Sequence, residues 1–196
     1  MTPMLPDLPA RAPRNSAGSF SRWLGRAALR LGGWKMVGQW PNVDRMVVIV
    51  APHSSAWDVV WGIAAVMGLG LGVVFMGKKE AFHGPLGWLL RRYGGIPVDR
   101  ASPGGIVEQV ASQMRNCPQM WFVLAPEGTR RKVDKWKSGF WKIARRAQVP
   151  VFCVGFDYVE RSIRLGELVE LSNDMEADMQ RLRALFTRYR GRNHDV

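Results

Sequence analysis

The fold of this chain is decided by one stretch, VVIVAPHSSAWD at residues 47–58. Its first five residues are apolar and mostly β-branched, which predicts a short buried strand that is covered on both faces. Pro52 ends this strand, because proline has no backbone N–H to offer to a sheet. Ser54 and Ser55 are residue types that cap helices, and apolar residues resume at Val59, so a helix is predicted to begin near Ser55.

A histidine and a carboxylate lie in this strand-to-helix connection. Residues five apart on one ideal helix point about 140° away from each other, so His53 and Asp58 can meet only if His53 lies in the loop. A carboxylate that accepts the Nδ1 proton fixes the imidazole tautomer and leaves Nε2 free as a base for a hydroxyl. The alternative is a hydrogen bond that serves only the fold, and this segment alone leaves both interpretations open.

Length and charge limit the class of protein. A chain of 196 residues suits one domain with a substantial core. Lys and Arg total 28 against 16 Asp and Glu, a net charge of +12, which predicts an anionic partner such as nucleic acid, a membrane surface, or an acidic substrate or carrier protein. The nine Trp residues favour the membrane surface. Cys117 and Cys153 show no metal-type spacing and indicate a reducing compartment.

Three parts follow one another along the chain. Residues 1–18 are rich in Pro and Arg and are predicted to be a disordered tail. Residues 19–33 have apolar side chains at helical spacing with interleaved arginines, which predicts an amphipathic helix. Its stripe contains Phe20 and Trp23 and its charges are all positive, which favours association with a membrane over packing on its own domain. Residues 34–196 are predicted to form one domain.

Strand and helix patterns alternate through that domain. Residues 59–77 contain no charged residue, but their glycines and the β-branched residues after them predict a buried helix to Met67 and then a strand, not a membrane span. Further strands are predicted at 34–40, 45–51, 96–98, 120–124, 149–156 and 162–165, and further helices at 105–115, 139–147 and 174–190. This pattern predicts a single α/β domain with a mixed, largely parallel sheet flanked by helices.

Polar residues follow several of these predicted strands. The groups are His53 with Asp58, Asp99 with Arg100, and the segment Glu127–Arg130. Ligands of open α/β sheets bind outside the carboxyl ends of the strands, so the coincidence favours a functional site. In the last group, glycine permits close backbone approach, threonine offers a hydroxyl, and arginine offers a fork for phosphate. An exposed charged turn is the alternative.

Four motifs in this order resemble the glycerolipid acyltransferase superfamily, whose bacterial members include 1-acylglycerol-3-phosphate acyltransferases. They are His-x₄-Asp at His53, Gly-x-Pro-Val-x-Arg at 95–100, Glu-Gly-Thr-Arg at 127–130 and Val-Pro-Val at 149–151. The resemblance covers about residues 34–165. Pro52 stands where many members carry Asn before the histidine, and Cys153 stands where the fourth motif often has a second proline.

The resemblance implies a glycerol-3-phosphate acyltransferase-like fold and a reaction. A fatty acyl group would pass from acyl-CoA or acyl carrier protein to the hydroxyl of 1-acylglycerol-3-phosphate in phospholipid biosynthesis, without a covalent enzyme intermediate. His53 would be the general base and Asp58 would orient it. The phosphate-binding residues would be Arg100, Glu127, Gly128, Thr129, Arg130 and Lys137. No metal or cofactor is expected beyond the acyl donor, which acts as co-substrate.

These expectations place the protein peripherally on the cytoplasmic face of a membrane, where lysophospholipid, acyl donor and anionic lipid meet. One alternative keeps acyl transfer but changes the acceptor to an ornithine-type or glycolipid-type lysolipid. Another is a basic nucleic-acid-binding module, which only the net charge favours, because no helix-turn-helix, zinc or RNP-like pattern is present. We therefore expect no nucleic acid partner.

Overall fold

The computed structural model of the chain describes residues 4–16, 18–98 and 103–196. Its strands are β1 Lys35–Val37, β2 Arg45–Ala51, β3 Val73–Lys78, β4 Gly95–Val98, β5 Met120–Leu124, β6 Val151–Asp157 and β7 Ser162–Val169. Its helices are α1 Ser19–Gly32, α2 Trp57–Leu69, α3 Gly84–Arg92, α4 Pro103–Asn116, α5 Gly139–Ala147 and α6 Met175–Ala184, with a 3₁₀ turn at Lys79–Phe82.

The strands form one sheet in the order β1-β7-β6-β2-β5-β3-β4. β6 and β7 pair antiparallel, and every other neighbouring pair is parallel. The predicted α/β class with a mixed, largely parallel sheet is confirmed. β2 lies between β5 and β6, so the carboxyl ends of these three central strands open at one edge of the sheet. That edge is where ligands of such sheets bind.

Alternate residues of β2 enter two hydrophobic cores, because successive side chains of a strand point to opposite faces. Val47, Ile49 and Ala51 join the core under α4, α5 and α6. Met46 and Val48 join the core under α1 and α2. Burial on both faces explains why the sequence of β2 is a continuous apolar run instead of an alternating one.

Helix α2 occupies the first part of the uncharged segment 59–77, and β3 occupies its end, as the glycine pattern predicts. A Cβ placed on Gly25 of α1 would lie 2.4 Å from the backbone nitrogen of Gly68, so only glycine permits this close approach of α1 to α2. Among the helices of the described residues, none has both the length and the apolar character that crossing a bilayer requires.

Helix α1 turns its apolar stripe away from the domain. Gly25 and Leu29 are buried against the domain. On the opposite side, Phe20 is 72% exposed, Trp23 is 62% exposed and Leu31 is 88% exposed. The large side chains of the predicted apolar stripe therefore do not pack on their own domain, although Ala28 does. The association of this stripe with a membrane stays a prediction.

The N-terminal residues follow a different course from the disordered tail that composition predicts. Residues 4–16 lie along the domain, with Ala12 almost fully buried in the core beside α1 and α2. Met36 donates its backbone N–H to the Met4 carbonyl at 2.9 Å, and Gly72 donates to Pro13 at 2.8 Å. Proline fixes the backbone dihedral φ, so a proline-rich segment that docks in an extended form loses less conformational entropy than its composition suggests.

Candidate active site

His53 and Asp58 meet in the turn after β2, which we call the His53 turn (residues 52–58). His53 Nδ1 lies 3.1 Å from Asp58 Oδ2. The two residues meet because His53 lies in the loop while Asp58 lies in the first turn of α2, as the spacing argument requires. Asp58 is 3% exposed, whereas the His53 side chain is 22% exposed. Within the described part of the chain, no hydrogen bond is made by His53 Nε2.

Of the two serines in the His53 turn, only Ser55 makes the kind of hydrogen bond expected of a helix cap. The residue at the cap position is Ala56, which has no side-chain oxygen to offer. Ser55 Oγ accepts from the Trp57 N–H at 3.3 Å, and the Ser55 N–H donates to Asp58 Oδ2 at 2.9 Å. The turn closes through the Asp58 carboxylate, so Asp58 also fixes the loop that carries His53. Ser54 is buried and has distant partners.

Those partners belong to the C-terminal segment (residues 190–196). Ser54 Oγ accepts from the backbone N–H of Arg192 at 2.8 Å and from that of Asn193 at 3.3 Å, and Asn193 Nδ2 donates to the Ser54 carbonyl at 2.7 Å. The Arg192 guanidinium lies 5.3 Å from the centre of the Trp57 ring. Sequence reasoning missed this segment, because no local pattern connects positions about 140 residues apart.

Glu127 lies directly behind the His53 turn. Because β2 and β5 are parallel neighbours, the loop after β5 reaches the loop after β2. Glu127 Oε1 accepts the His53 backbone N–H at 3.0 Å. Glu127 is 2% exposed, and its Oε2 atom has no hydrogen-bond partner among the described residues. Burial raises the pKa of Glu127 above its ordinary value, and the hydrogen bond from His53 only partly opposes this effect. Direct contact of Glu127 with a phosphate stays a prediction.

The remaining residues of the Arg130 loop (residues 127–130) face outward. Gly128 has a φ of +64°, and a Cβ at this position would lie 2.8 Å from Cδ of Lys137, so glycine lets the lysine stem lie against the backbone. Thr129 is half-buried, and Arg130 and Lys137 are exposed. The Arg130 carbonyl accepts a hydrogen bond from His194 Nε2 at 3.1 Å, which ties the loop to the C-terminal segment.

Of the predicted site residues, the structure joins His53, Asp58 and Glu127 by direct contacts, and it places Lys137 beside Gly128. Arg100 lies outside the described residues. The residue that the sequence did not single out is Tyr158, which follows β6 and donates a hydrogen bond from its phenol to Asp58 Oδ1. The strand-end rule applied to the other three groups could have found it, because Asp157 and Tyr158 are polar residues at the end of a buried strand.

A buried thiol also lies in the central sheet. Cys153 lies inside β6, where burial raises the pKa of its thiol to about 12, so it is a poor nucleophile. In the part of the chain that the structure describes, no group of three or more His, Cys, Asp or Glu side chains could hold a metal ion. A proton-transfer site built on His53 and Asp58 is what these residues offer.

Similarity to known proteins covers the part of the chain that carries these residues. A family model described as Acyltransferase matches residues 36–157, which include the His53 turn, the Arg130 loop and β6. The chain belongs to this acyltransferase family. A 1-acyl-sn-glycerol-3-phosphate acyltransferase of Streptococcus pneumoniae is 31% identical over 117 residues, which are 59% of this chain and 43% of that protein. One of Pseudomonas aeruginosa is 28% identical over 138 residues, 67% of this chain and 52% of that protein.

The acyltransferase chain thus spans about half the length of the curated relatives it matches. Its fold is similar to the crystal structure of the 1-acyl-sn-glycerophosphate (LPA) acyltransferase PlsC from Thermotoga maritima. The TM-score is 0.56 at 22% identity, over 83% of this chain and 76% of that chain. The likeness shows a shared fold.

Proposed function

We propose that this acyltransferase moves a fatty acyl group from a thioester donor to the free hydroxyl of 1-acylglycerol-3-phosphate. The observation that carries the proposal is the His53–Asp58 pair at the carboxyl end of β2, with Nδ1 and Oδ2 3.1 Å apart and the ring partly exposed. Two relatives are named as acyltransferases of that acceptor, which supports the choice of substrate.

In the proposed reaction, His53 Nε2 takes the proton of the acceptor hydroxyl as its oxygen attacks the thioester carbonyl carbon. Asp58 accepts the Nδ1–H, holds the tautomer and stabilises the imidazolium that forms. When the tetrahedral intermediate collapses, the C–S bond breaks and the imidazolium returns its proton to the thiolate. The products are a diacylated phosphate lipid and a free thiol. No enzyme nucleophile is needed.

Cationic side chains would bind the acceptor phosphate beside this base. Arg130 and Lys137 are exposed, and neither forms an ion pair within the described ranges. An arginine fork bonds two phosphate oxygens at once, while a lysine acts as a point charge. Thr129 and the Gly128 backbone would add neutral contacts, and Arg100 completes the predicted set. The net charge of +12 would also attract either phosphate-rich coenzyme A or an acidic carrier protein.

The test is product analysis by mass spectrometry. The purified chain is incubated with 1-acylglycerol-3-phosphate and, separately, with lysolipids of ornithine and glycolipid type, each with acyl-CoA or acyl carrier protein as donor. We expect a diacylated product from the phosphate acceptor. Turnover only with acceptors that lack a phosphate would reject the roles given to Arg130 and Lys137.

We further propose that the protein works as a peripheral protein on the anionic cytoplasmic face of a membrane. Support comes from the exposed apolar stripe of α1 and from exposed apolar side chains on the neighbouring helices, namely Trp57 and Val60 on α2 and Leu86 and Trp88 on α3. Arg30 of α1 and Arg91 and Arg92 of α3 are exposed basic residues on the same helices. Basic helices with Trp and Phe on their apolar face bind anionic lipid surfaces.

Co-sedimentation with vesicles tests this location. The wild type should sediment with phosphatidylglycerol vesicles, and the double variant Phe20→Ser with Trp23→Ser should be largely released. Val159→Ser, at an exposed apolar position in the β6–β7 connection, is the matched control and should sediment normally. Equal sedimentation of all three proteins would contradict a role for α1. Competition by duplex DNA would favour the nucleic-acid-binding alternative.

A further inference from the structure

The Asp58 carboxylate has a different environment at each of its two oxygens. Oδ2 faces His53 Nδ1 at 3.1 Å and accepts the Ser55 N–H at 2.9 Å. Oδ1 accepts the phenol proton of Tyr158, which lies 100 residues further along the chain. The register of β2 and β6, in which Ala51 pairs with Gly155, brings the ends of these strands side by side. The sheet itself therefore delivers Tyr158 to the carboxylate.

Tyr158 is held in place independently of Asp58. Its ring packs edge-on against Trp34, with centroids 4.9 Å apart. Its backbone N–H donates to the Arg190 carbonyl at 2.8 Å. The preceding residue, Asp157, accepts the N–H groups of Val159 and Glu160 at 3.1 Å each, which fixes the turn. A hydroxyl carried on such a fixed ring is a directional donor.

From this geometry we infer that Tyr158 is a positioning residue for the proposed acyl transfer: its phenol holds the Asp58 carboxylate in the rotation that presents Oδ2 to His53 Nδ1. The inference rests on the proposed role of His53 as the base. Without the hydroxyl, the carboxylate loses its donor at Oδ1 and can rotate about its Cβ–Cγ bond. The imidazole then loses the partner that fixes its tautomer and orientation.

The surroundings of Asp58 and Tyr158 determine whether the phenol keeps its proton. Burial, and then the hydrogen bond to Asp58, raise the pKa of Tyr158 above its usual value, so the phenol keeps its proton and stays a donor. Among the described residues, Arg192 of the C-terminal segment acts on the Tyr158 phenol, and Glu127 of the loop after β5 acts on Asp58. His194 lies one step further away and acts on Glu127. A Tyr158→Phe substitution leaves all of these in place.

The experiment is the pH dependence of kcat/KM for Tyr158→Phe, which keeps the ring against Trp34 and removes only the hydroxyl. We expect kcat to fall about tenfold or more, because hydrogen bonds to charged groups are the strong ones. We also expect the acid limb to move down by about half a pH unit, because a carboxylate that has rotated away from Nδ1 stabilises the imidazolium less. The matched control is Tyr93→Phe, because the Tyr93 phenol is hydrogen-bonded to Ser21 and not to Asp58.

A second measurement does not depend on turnover. The chain has three histidines, so the His53 ring signals can be assigned by NMR from the spectrum of His53→Ala. Their titration midpoint should fall in Tyr158→Phe and stay unchanged in Tyr93→Phe. An unchanged or higher midpoint would overturn the inference, even if activity were lost, because only a carboxylate that has left Nδ1 would lower it. If the wild type makes no acylated product while the midpoint moves as expected, the proposed function fails and the coupling between Tyr158 and His53 stands.

Discussion

The His53 turn and the Arg130 loop lie side by side at the carboxyl ends of β2 and β5, yet they are built in different ways. In the His53 turn, Ser54, Ser55 and Asp58 are buried and hydrogen-bonded from several directions. In the Arg130 loop only Glu127 is buried, and the Arg130 side chain is exposed. The proposed base is thus surrounded by side chains that fix its position, whereas the cationic Arg130 is left open to solvent.

This difference matches two different physical demands. Proton transfer requires atoms placed to within tenths of an ångström, so a base gains from every contact that fixes it. A phosphate carries its charge over several oxygens, and an arginine fork can follow it on a long flexible stem. Substitutions in the His53 turn should therefore lower kcat, and substitutions in the Arg130 loop should raise KM.

The largest expected effect is that of His53→Ala. It removes the proposed base, so kcat for acylation of 1-acylglycerol-3-phosphate should fall by about a thousandfold or more. The fold should survive, because the ring is partly exposed and outside both cores. Steady-state kinetics with circular dichroism checks both points. His83→Ala, at an exposed position before α3, is the control. Near-normal turnover by the His53 variant would remove the base from the mechanism.

Arg130→Ala should act on KM. We expect KM for the phosphate acceptor to rise roughly tenfold with kcat within about twofold, because the contact is equal in ground and transition states. Arg130→Lys should recover part of the loss, since it keeps the charge and loses the fork. Lys142→Ala, an exposed cation on α5, controls for net charge. A fall in kcat at constant KM would mean that Arg130 helps to position His53. The proposed difference between the His53 turn and the Arg130 loop would then be wrong.

Sequence patterns predicted the bounds of those helices and strands whose limits depend on neighbouring residues alone. The bounds predicted for β2, β5 and α5 are those of the structure, because each has a clear apolar pattern between turn residues. The last helix is shorter than predicted. α6 ends at Ala184, and the chain after it turns so that Phe186 and Tyr189 enter the core beside β6. That turn depends on what the core can accommodate, which periodicity alone does not encode.

The candidate site was also predictable only in part. His53, Asp58 and Glu127 carry recognisable spacing, and the parallel pairing of β2 with β5 brings them together. Tyr158 and the C-terminal segment reach the His53 turn only through the tertiary fold, at separations of 100 residues or more. Motifs therefore reveal the groups that are proposed to react, while the contacts that hold those groups become visible only in three dimensions.

Ser54→Ala tests that holding role in the C-terminal segment. The substitution removes the oxygen that accepts the N–H groups of Arg192 and Asn193, so the segment should loosen over the His53 turn. We expect kcat to fall by about three- to tenfold, the scale of one lost neutral hydrogen bond site. Ser162→Ala removes an equally buried serine that accepts from Arg164 on β7, and it should leave kcat unchanged. Equal kcat for both variants would show that the C-terminal segment does not help to position His53.

The smallest expected effect comes from Glu127→Gln and concerns stability. Burial raises the pKa of Glu127, so the folded state holds this proton more tightly than the unfolded chain does. The contribution of Glu127 to stability is then greatest at a pH below the ordinary glutamate pKa, and it declines as the pH rises through the folded-state value. A glutamine cannot lose a proton, but its carbonyl oxygen can still accept the His53 N–H.

The free energy of unfolding of the wild type, relative to that of Glu127→Gln, should therefore decrease as the pH rises above the ordinary glutamate pKa of about 4.3. Denaturant titrations of both proteins measure it, with Glu170→Gln at an exposed position as the control. The opposite slope would mean that a cation stabilises the ionised carboxylate, as expected of a residue that works with Arg130 on a phosphate. The sign of the slope thus decides whether Glu127 helps to position His53 or works with Arg130 in binding the phosphate.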